Sequence, residues 1–111
     1  MVSETFFSVE VADMARATAF YREALGAVVT FPTARWTSLH LAGVRVGLAL
    51  NPAHAGARTG LHFAVTDLAA SLAAVERAGG RVVTPHLEAA PGVILAEVAD
   101  SENNLFVLTP R

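Results

Sequence analysis

The chain contains an internal repeat, and this repeat limits the possible folds more than any other feature of the sequence. Residues Val9–Asp13 precede a helix-like run that ends at Gly26, and residues Phe63–Asp67 precede a second such run that ends at Gly79. A constant offset of 54 residues relates the aspartates that close the two segments. Repeats of this length fold as copies of one supersecondary unit. We therefore predict two halves of similar structure.

Composition narrows the class of protein. With 111 residues, 53% of them hydrophobic and 16% charged, the chain can build one domain core. A net charge of -2 and a pI near 6.0 leave no basic surface for nucleic acid or an anionic membrane. Cysteine is absent, which excludes disulfides, thiolate metal ligands and a cysteine nucleophile. No secretion signal or membrane-spanning run is recognisable, so we expect a soluble cytoplasmic protein, and the all-arginine set of basic residues is typical of a GC-rich bacterial genome.

The first half of the chain has the pattern of a βαβββ unit. Residues 5–11 alternate between two faces like a strand, and residues 14–25 follow a helical period with Asp13 at the N-cap and Gly26 past the C-terminus. Three short strands are expected after the helix, over residues 27–31, 36–41 and 44–50, the last two joined by the turn Ala42–Gly43.

The second half repeats this order after a Pro- and Gly-containing linker. We assign residues 1–51 to the first module, 52–59 to the linker and 60–111 to the second module, the two modules forming one structural domain. A strand over 60–65 leads into a helix from residue 68 to 78, and three strands are expected over 81–84, 93–98 and 104–109. His54 and His86 are expected in loops. The fold class is therefore α+β.

Two motifs resemble the vicinal oxygen chelate superfamily. They are the Asp-capped helix with the run Ala19–Gly26 and the hairpin Asp100–Asn104 before the last strand. The superfamily contains glyoxalase I, fosfomycin and bleomycin resistance proteins, extradiol dioxygenases and methylmalonyl-CoA epimerase, and its usual hairpin reads Asp-Pro-Asp-Gly-Asn, from which this chain departs at the second to fourth positions. The resemblance implies two βαβββ modules that form a half-open, barrel-like sheet with the helices outside. A ligand cavity lies inside it and is often completed or shared in a homodimer.

The metal ligands of the superfamily do not carry over to this chain. The resemblance implies a divalent metal held by His or Gln on the first strand of each module and by Glu on each fourth strand. The corresponding positions are Phe6, Gly60, Gly47 or Ala49, and Val107. None of these side chains can donate a lone pair to a cation. We therefore predict that the metal site is lost and that no cofactor is bound.

Strand alternation predicts which residues face the cavity, because residues two apart on a strand share a face. The set is mostly apolar with a few polar groups, as in a pocket for a small molecule. The first strands of the modules contribute Phe6, Ser8, Glu10, Gly60, His62 and Ala64, and the middle and last strands contribute Trp36, Ser38, His40, Arg45, Gly47, Ala49, Leu95, Glu97, Leu105 and Val107.

Four of these residues carry alternative interpretations. Trp36 serves either as a stacking platform for a planar ligand or as filler of a core or dimer interface. His62 is a general base, a hydrogen-bonding group or a structural histidine. Glu97 is costly to bury unpaired, so Arg45 or a ligand neutralises it, or its pKa rises enough for acid/base work. Glu10 follows the same reasoning unless solvent reaches it.

Three functions remain open at this point. The first is a metal-free protein that binds an aromatic or planar natural-product-like molecule, as in drug sequestration or self-resistance. The second is a metal-independent isomerase, cyclase or lyase that moves a proton with His62 and with Glu97 or Glu10. The third is a metalloenzyme whose ligands have moved to His62, Glu97, and Glu10 or His40. In each case a homodimer is expected, because so short a half-barrel leaves apolar edges uncovered.

Overall fold

A computed structural model describes all 111 residues and contains two helices and eight strands. They follow the order predicted from the repeat, βαβββ twice. The elements are β1 (Phe7–Val11), α1 (Met14–Leu25), β2 (Val28–Pro32), β3 (Trp36–Leu41), β4 (Val44–Leu50), β5 (Arg58–Val65), α2 (Leu68–Arg77), β6 (Arg81–Ala90), β7 (Val93–Ala99) and β8 (Leu105–Pro110).

The strands form two separate four-stranded sheets, which confirms the predicted α+β class. Sheet 1 has the order β1-β4-β3-β2 and sheet 2 the order β5-β8-β7-β6. In each sheet the first strand runs parallel to the last strand of its module, and the other pairs are antiparallel. The helix between the first two strands provides the crossover that such an arrangement requires. As a result, β1 and β5 lie at the free edges of their sheets.

Both helices begin at the aspartates singled out in the repeat. The Asp13 carboxylate accepts a hydrogen bond from the Arg16 amide at 2.9 Å, and Asp67 accepts one from the Ala70 amide at 3.0 Å. These bonds satisfy amides that the first turn of a helix leaves free. Helix α1 ends at Gly26, whose φ of 68° lies in the left-handed region that glycine adopts without strain.

The two sheets share one hydrophobic core. Apolar residues of sheet 1 such as Val9 and Leu48 cluster with Phe20 and Tyr21 of α1, and the same cluster continues into Phe106 of sheet 2. Each sheet therefore presents an inner face to this core. By alternation, the other residues of its strands lie on an outer face turned away from the core.

Three strand boundaries differ from the predicted ones by two residues or more. β1 begins at Phe7 rather than at residue 5, and β5 begins at Arg58, two residues earlier than expected. β6 continues to Ala90 instead of ending at residue 84. Pro85 is tolerated inside β6 because this strand is the edge of its sheet, where a missing amide costs no ladder bond. His86 consequently lies in a strand and not in a loop, so that prediction was wrong. Neither helix is long and apolar enough to cross a membrane.

Candidate functional site

The outer face of sheet 1 brings together the first group of predicted site residues. Pairing aligns Ser8 with Gly47 and Gly47 with Ser38, and it places Arg45 beside His40. Glu10 and Trp36 flank Ala49 in the same way. The sequence alternation therefore predicted the membership of this face.

The second group lies on the outer face of sheet 2. His62 and Glu97 are both paired with Val107, on opposite sides of β8. Gly60 precedes His62 at an irregularity in β5, where its φ of 75° requires glycine or strain. Leu95 continues the face along β7 by alternation, two residues before Glu97.

The two outer faces do not enclose a common cavity within one chain. Their sheets share the core through their inner faces, and each outer face is turned away from that core. The structure has five cavities, and none is lined by outer-face residues of both sheets. A single chain therefore offers two half-sites.

The half-site on sheet 1 is built around Trp36. Its indole lies over Gly47, so closely that a Cβ at this glycine would overlap the ring. The indole Nε1 donates a hydrogen bond to the Ser38 hydroxyl at 2.9 Å, and the Phe6 ring meets the indole edge-on with centroids 6.2 Å apart. The Arg45 guanidinium carbon lies 3.8 Å from the centre of the Phe6 ring. This face is therefore an aromatic surface with one cation.

The half-site on sheet 2 is a small depression of about 130 Å³. It is lined by His62, Glu97, Gly60 and Val107 among others, and by Arg58, which sequence reasoning had placed in the linker. Arg58 Nη1 donates to Glu97 Oε2 at 2.8 Å. Of the alternatives considered for Glu97, pairing with Arg45 was wrong, because Arg45 lies on the other sheet and donates instead to Glu4 at 3.1 Å. The early start of β5, which depends on pairing with β8, is what brings Arg58 to this face.

The three candidate proton-transfer residues are divided between the sheets. His62 and Glu97 line one depression, whereas Glu10 lies on sheet 1. There the Glu10 carboxylate accepts a hydrogen bond from Asn51 at 3.1 Å and lies 3.8 Å from His54 Nδ1, and its side chain is 41% exposed. Solvent and these neighbours satisfy Glu10, so it does not carry the cost of an unpaired buried charge.

The residues at the positions that the resemblance assigns to metal ligands do not fit a metal. Phe6 packs on Trp36, Gly47 lies beneath the indole, and Gly60 and Val107 line the depression of sheet 2 without a donor side chain. Within the chain no three His, Asp or Glu residues are grouped closely enough to hold an ion. The relocated set of His62 and Glu97 with Glu10 or His40 is divided between the two sheets.

A further groove lies between the modules and was not predicted. Two adjacent cavities of about 320 and 280 Å³ share Leu41, Ala42, Phe63 and Ala64 as lining residues. The polar groups along them are few, Thr66 and Ser71 in the first and His62 and Arg111 in the second. The groove contains no carboxylate side chain and therefore no acid/base pair. Its mostly apolar lining suits an apolar ligand.

The hairpin between β7 and β8 fastens the second module to the first. Glu102 Oε1 accepts from the Ala12 and Asp13 amides at 3.0 and 2.8 Å, and its carboxylate also accepts from Arg16 Nε at 2.8 Å. Asn104 donates to the Glu10 carbonyl at 2.8 Å and accepts from two linker amides. The sequence analysis identified this hairpin as a motif of the superfamily, but it did not predict these hydrogen bonds to the first module and the linker.

Burial controls the ionisation of this hairpin. Burial raises the pKa of Asp100, although hydrogen bonds from Tyr21 and Asn104 act in the opposite direction. Burial and the neighbouring Asp100 raise the pKa of Tyr21 well above its usual value of 10.0. At Glu102, burial is outweighed by hydrogen bonds from Arg16, Ser101 and two backbone amides, which lower the pKa of this carboxyl to about 2.

We expect the protein to lose stability in acid because of Glu102. Its pKa is about 2 in the folded chain and near 4.5 when unfolded, so the folded state binds the proton more weakly and stability falls as the pH drops from 4.5 towards 2. The difference corresponds to at most about 3 kcal/mol, and screening around Arg16, whose side chain is 56% exposed, lowers the expected loss to about 1–2 kcal/mol. Asp100, with its raised pKa, offsets part of it.

Urea unfolding at pH 5.0 and 3.0 measures this loss. The Glu102→Gln variant is the control, because it has no proton to bind at this site. We expect the wild-type protein to lose more stability than the variant over this interval. Equal losses in the two proteins would contradict the assignment of the acid sensitivity to Glu102.

The fold defines a class of protein: paired βαβββ modules that share one core and each carry a four-stranded mixed sheet. The chain belongs to the Glyoxalase-like domain family, whose model matches residues 6–109. This membership confirms the resemblance to the vicinal oxygen chelate superfamily. Comparison with curated protein sequences finds no match.

Solved structures of similar fold cover nearly the whole chain. A hypothetical protein from S. aureus is 18% identical with a TM-score of 0.82, over 100% of this chain and 95% of that chain. A mutant of the fosfomycin resistance protein FosX from Listeria monocytogenes, complexed with Mn(II) and 1S,2S-dihydroxypropylphosphonic acid, is 16% identical with a TM-score of 0.81, over 98% and 90%. Lactoylglutathione lyase from Agrobacterium tumefaciens is 13% identical with a TM-score of 0.76, over 99% and 95%. At these identities the likeness establishes a common fold alone.

Proposed function

We propose that this protein binds an aromatic or planar small molecule without a metal, between the outer face of sheet 1 in one copy and that of sheet 2 in a second copy. The observation that carries the proposal is Trp36, whose indole covers Gly47, one of the two positions, with Ala49, where the resemblance would place a metal-binding carboxylate. Aromatic surface there gives affinity for a planar ligand through burial and stacking. We propose that such binding serves drug sequestration or self-resistance in the cytoplasm.

The proposed homodimer is supported by the apolar surface and the unpaired strand edges that a single chain leaves exposed. Each outer face is open, and β1 and β5 have unpaired edges. Phe6, on the outer-face side just before β1, is 42% exposed. A second copy with its sheet 2 opposite sheet 1 would cover this apolar surface and would turn two half-sites into an enclosed cavity.

A second candidate is a metal-independent enzyme that moves a proton. It is favoured by the depression on sheet 2, where His62 and Glu97 lie together with Arg58. An imidazole and a carboxylate near one substrate are the groups that an isomerase, cyclase or lyase uses as base and acid. Arg58 would balance the charge of Glu97 or of a substrate anion.

Gly47→Ala tests the binding proposal directly. The added Cβ overlaps the indole, so Trp36 must leave the sheet, at a cost of about 1–3 kcal/mol in stability. We expect the wild-type protein to be a dimer by light scattering and aromatic compounds to quench the fluorescence of Trp36, the single tryptophan of the chain. In Gly47→Ala we expect the affinity to fall at least tenfold. Ala73→Ser, on the exposed side of α2, is the matched control.

Two further measurements separate the alternatives. A monomer in which no aromatic compound alters Trp36 emission, or a Gly47→Ala variant with unchanged affinity, would contradict the binding proposal. His62→Gln and Glu97→Gln variants that retain affinity but lose turnover would favour the enzyme. Stoichiometric Zn, Fe, Mn or Ni in the purified dimer would favour the metalloenzyme with relocated ligands.

A further inference from the structure

An arginine on the outer face of sheet 1 has a hydrogen-bonding edge that is only half used. Arg45 Nη2 donates to Glu4 Oε1 at 3.1 Å. The neighbouring Nε is buried and has no hydrogen-bond partner. A buried N–H without an acceptor is costly, and native structures contain few of them. This nitrogen therefore favours any ligand that brings it an acceptor.

A second arginine in the chain shows how such an edge is fully satisfied. Arg16 donates from Nε to Glu102 Oε2 at 2.8 Å and from Nη2 to Oε1 at 3.1 Å, so that one carboxylate takes both nitrogens. This two-point pairing is the strongest arrangement open to a guanidinium and a carboxylate. Glu4 reaches only one nitrogen of Arg45. A free carboxylate can therefore bind Arg45 better than the chain itself does.

The same segment of chain supplies an aromatic ring to the face. Phe6 lies under the Arg45 guanidinium at 3.8 Å and edge-on against Trp36. It precedes β1, and 42% of it is exposed. Glu4 and Phe6 thus present a carboxylate and a ring, two residues apart, to one arginine and one indole.

We propose that residues 4–6 are a displaceable cover over this half-site and that its ligand is an aromatic carboxylate. The ring of the ligand replaces Phe6 against Trp36 and Arg45, and its carboxylate takes Nε and Nη2 of Arg45 together. This inference rests on the proposed binding function and names the class of ligand.

The energetics allow the exchange. The Glu4 and Arg45 side chains are 59% and 29% exposed, and exposed ion pairs of this kind add little stability. A ligand therefore displaces Glu4 at small cost. It gains a two-point charged pair and stacking on Trp36 and the guanidinium. Removing the competing Glu4 carboxylate should tighten binding by about two- to fivefold, the range that follows from a weak surface pair.

Fluorescence titration of Trp36 in the purified full-length protein tests the inference. The probes are 3-phenylpropanoate, its neutral isostere 3-phenylpropanamide, and hexanoate, which lacks the ring. We expect the aromatic acid to bind at least tenfold more tightly than the other two. Glu4→Gln should tighten its binding about two- to fivefold, whereas Glu23→Gln, an equal charge change on the exposed side of α1, should leave it unchanged. Arg45→Gln and Arg45→Lys should both remove most of the preference for acid over amide, because neither offers a planar two-point edge.

Equal affinities for the acid and the amide, or a Glu4→Gln variant that binds the acid no better, would overturn the inference. If neutral aromatic compounds quench Trp36 and Arg45→Gln does not weaken them, the proposed binding function stands while the ligand class is wrong. If no probe alters Trp36 emission or the NMR signals of His40 and His62 on the two outer faces, both proposals fail. Thermal unfolding of each variant shows that a lost response is not lost folding.

Discussion

Replacing Glu102 with alanine is expected to lower the free energy of unfolding by about 2–3 kcal/mol, because two backbone amides and a half-exposed arginine lose a charged acceptor. The Glu102 side chain is fully buried and accepts from the amides of Ala12 and Asp13 and from Arg16. Alanine would leave these donors without an acceptor at the start of α1. Because Glu102 belongs to the second module and its donors to the first, the variant also weakens the contact between modules.

Urea unfolding at pH 7, followed by far-UV circular dichroism, measures this effect. Glu76→Ala is the matched control, since Glu76 lies on an exposed part of α2 and makes no side-chain hydrogen bond in the structure. We expect the control to differ from the wild type by less than about 0.5 kcal/mol. A loss below about 1 kcal/mol in Glu102→Ala would show that water replaces the carboxylate without cost and that the hairpin does not fasten the modules.

Replacing Phe106 with alanine is expected to cost about 3–5 kcal/mol, as for other large aromatic side chains in a core. Phe106 is 2% exposed. Its ring centre lies 6.3 Å from those of Phe20 and Tyr21 in α1 and 5.5 Å from that of Phe63 in β5. The cavity would open where the two modules meet, so we expect both to lose stability together.

Two probes in the same unfolding experiment test that expectation. Trp36 fluorescence reports sheet 1, which does not contain the mutation, and far-UV circular dichroism reports the whole chain. Coincident transitions, both at lower urea than in the wild type, are the expected result. Leu87→Ala, at a 49% exposed position of β6, serves as control and should cost well under 1 kcal/mol. A Trp36 transition at the wild-type midpoint would mean that the modules unfold separately and do not act as one domain.

Local sequence patterns predicted most of the fold. The predicted bounds are exact for one helix and two strands, Met14–Leu25, Trp36–Leu41 and Val44–Leu50. These elements depend on periodicity, an N-cap aspartate and tight turns, which are properties of residues close together in the sequence. The errors occurred where pairing with a distant strand decides the outcome. Arg58 joins β5 because β8 lies beside it, and β6 passes through Pro85 because it is an edge strand.

The membership of the candidate site was also predictable in part. Alternation assigned Ser8, Trp36, Arg45, His62 and Glu97 to the lining of one cavity, whereas the structure places the first three on sheet 1 and the other two on sheet 2. The ion pairs were not predictable, since Arg58–Glu97 and Arg45–Glu4 join residues 39 and 41 positions apart in the chain. The role of Phe6 and Glu4 over the half-site depends in the same way on where β1 starts.

By itself, the sequence determined the duplicated βαβββ order and the superfamily, and it predicted the replacement of the metal-binding side chains. These features depend on the identity of single residues and on short-range periodicity, which do not change with the packing of the chain. Only the tertiary structure showed that both modules share one core through their inner faces, so that the two outer faces remain separate half-sites in one chain. It also showed that the Trp36 indole occupies the space above Gly47. Both results depend on the relative placement of distant strands, which long-range packing decides.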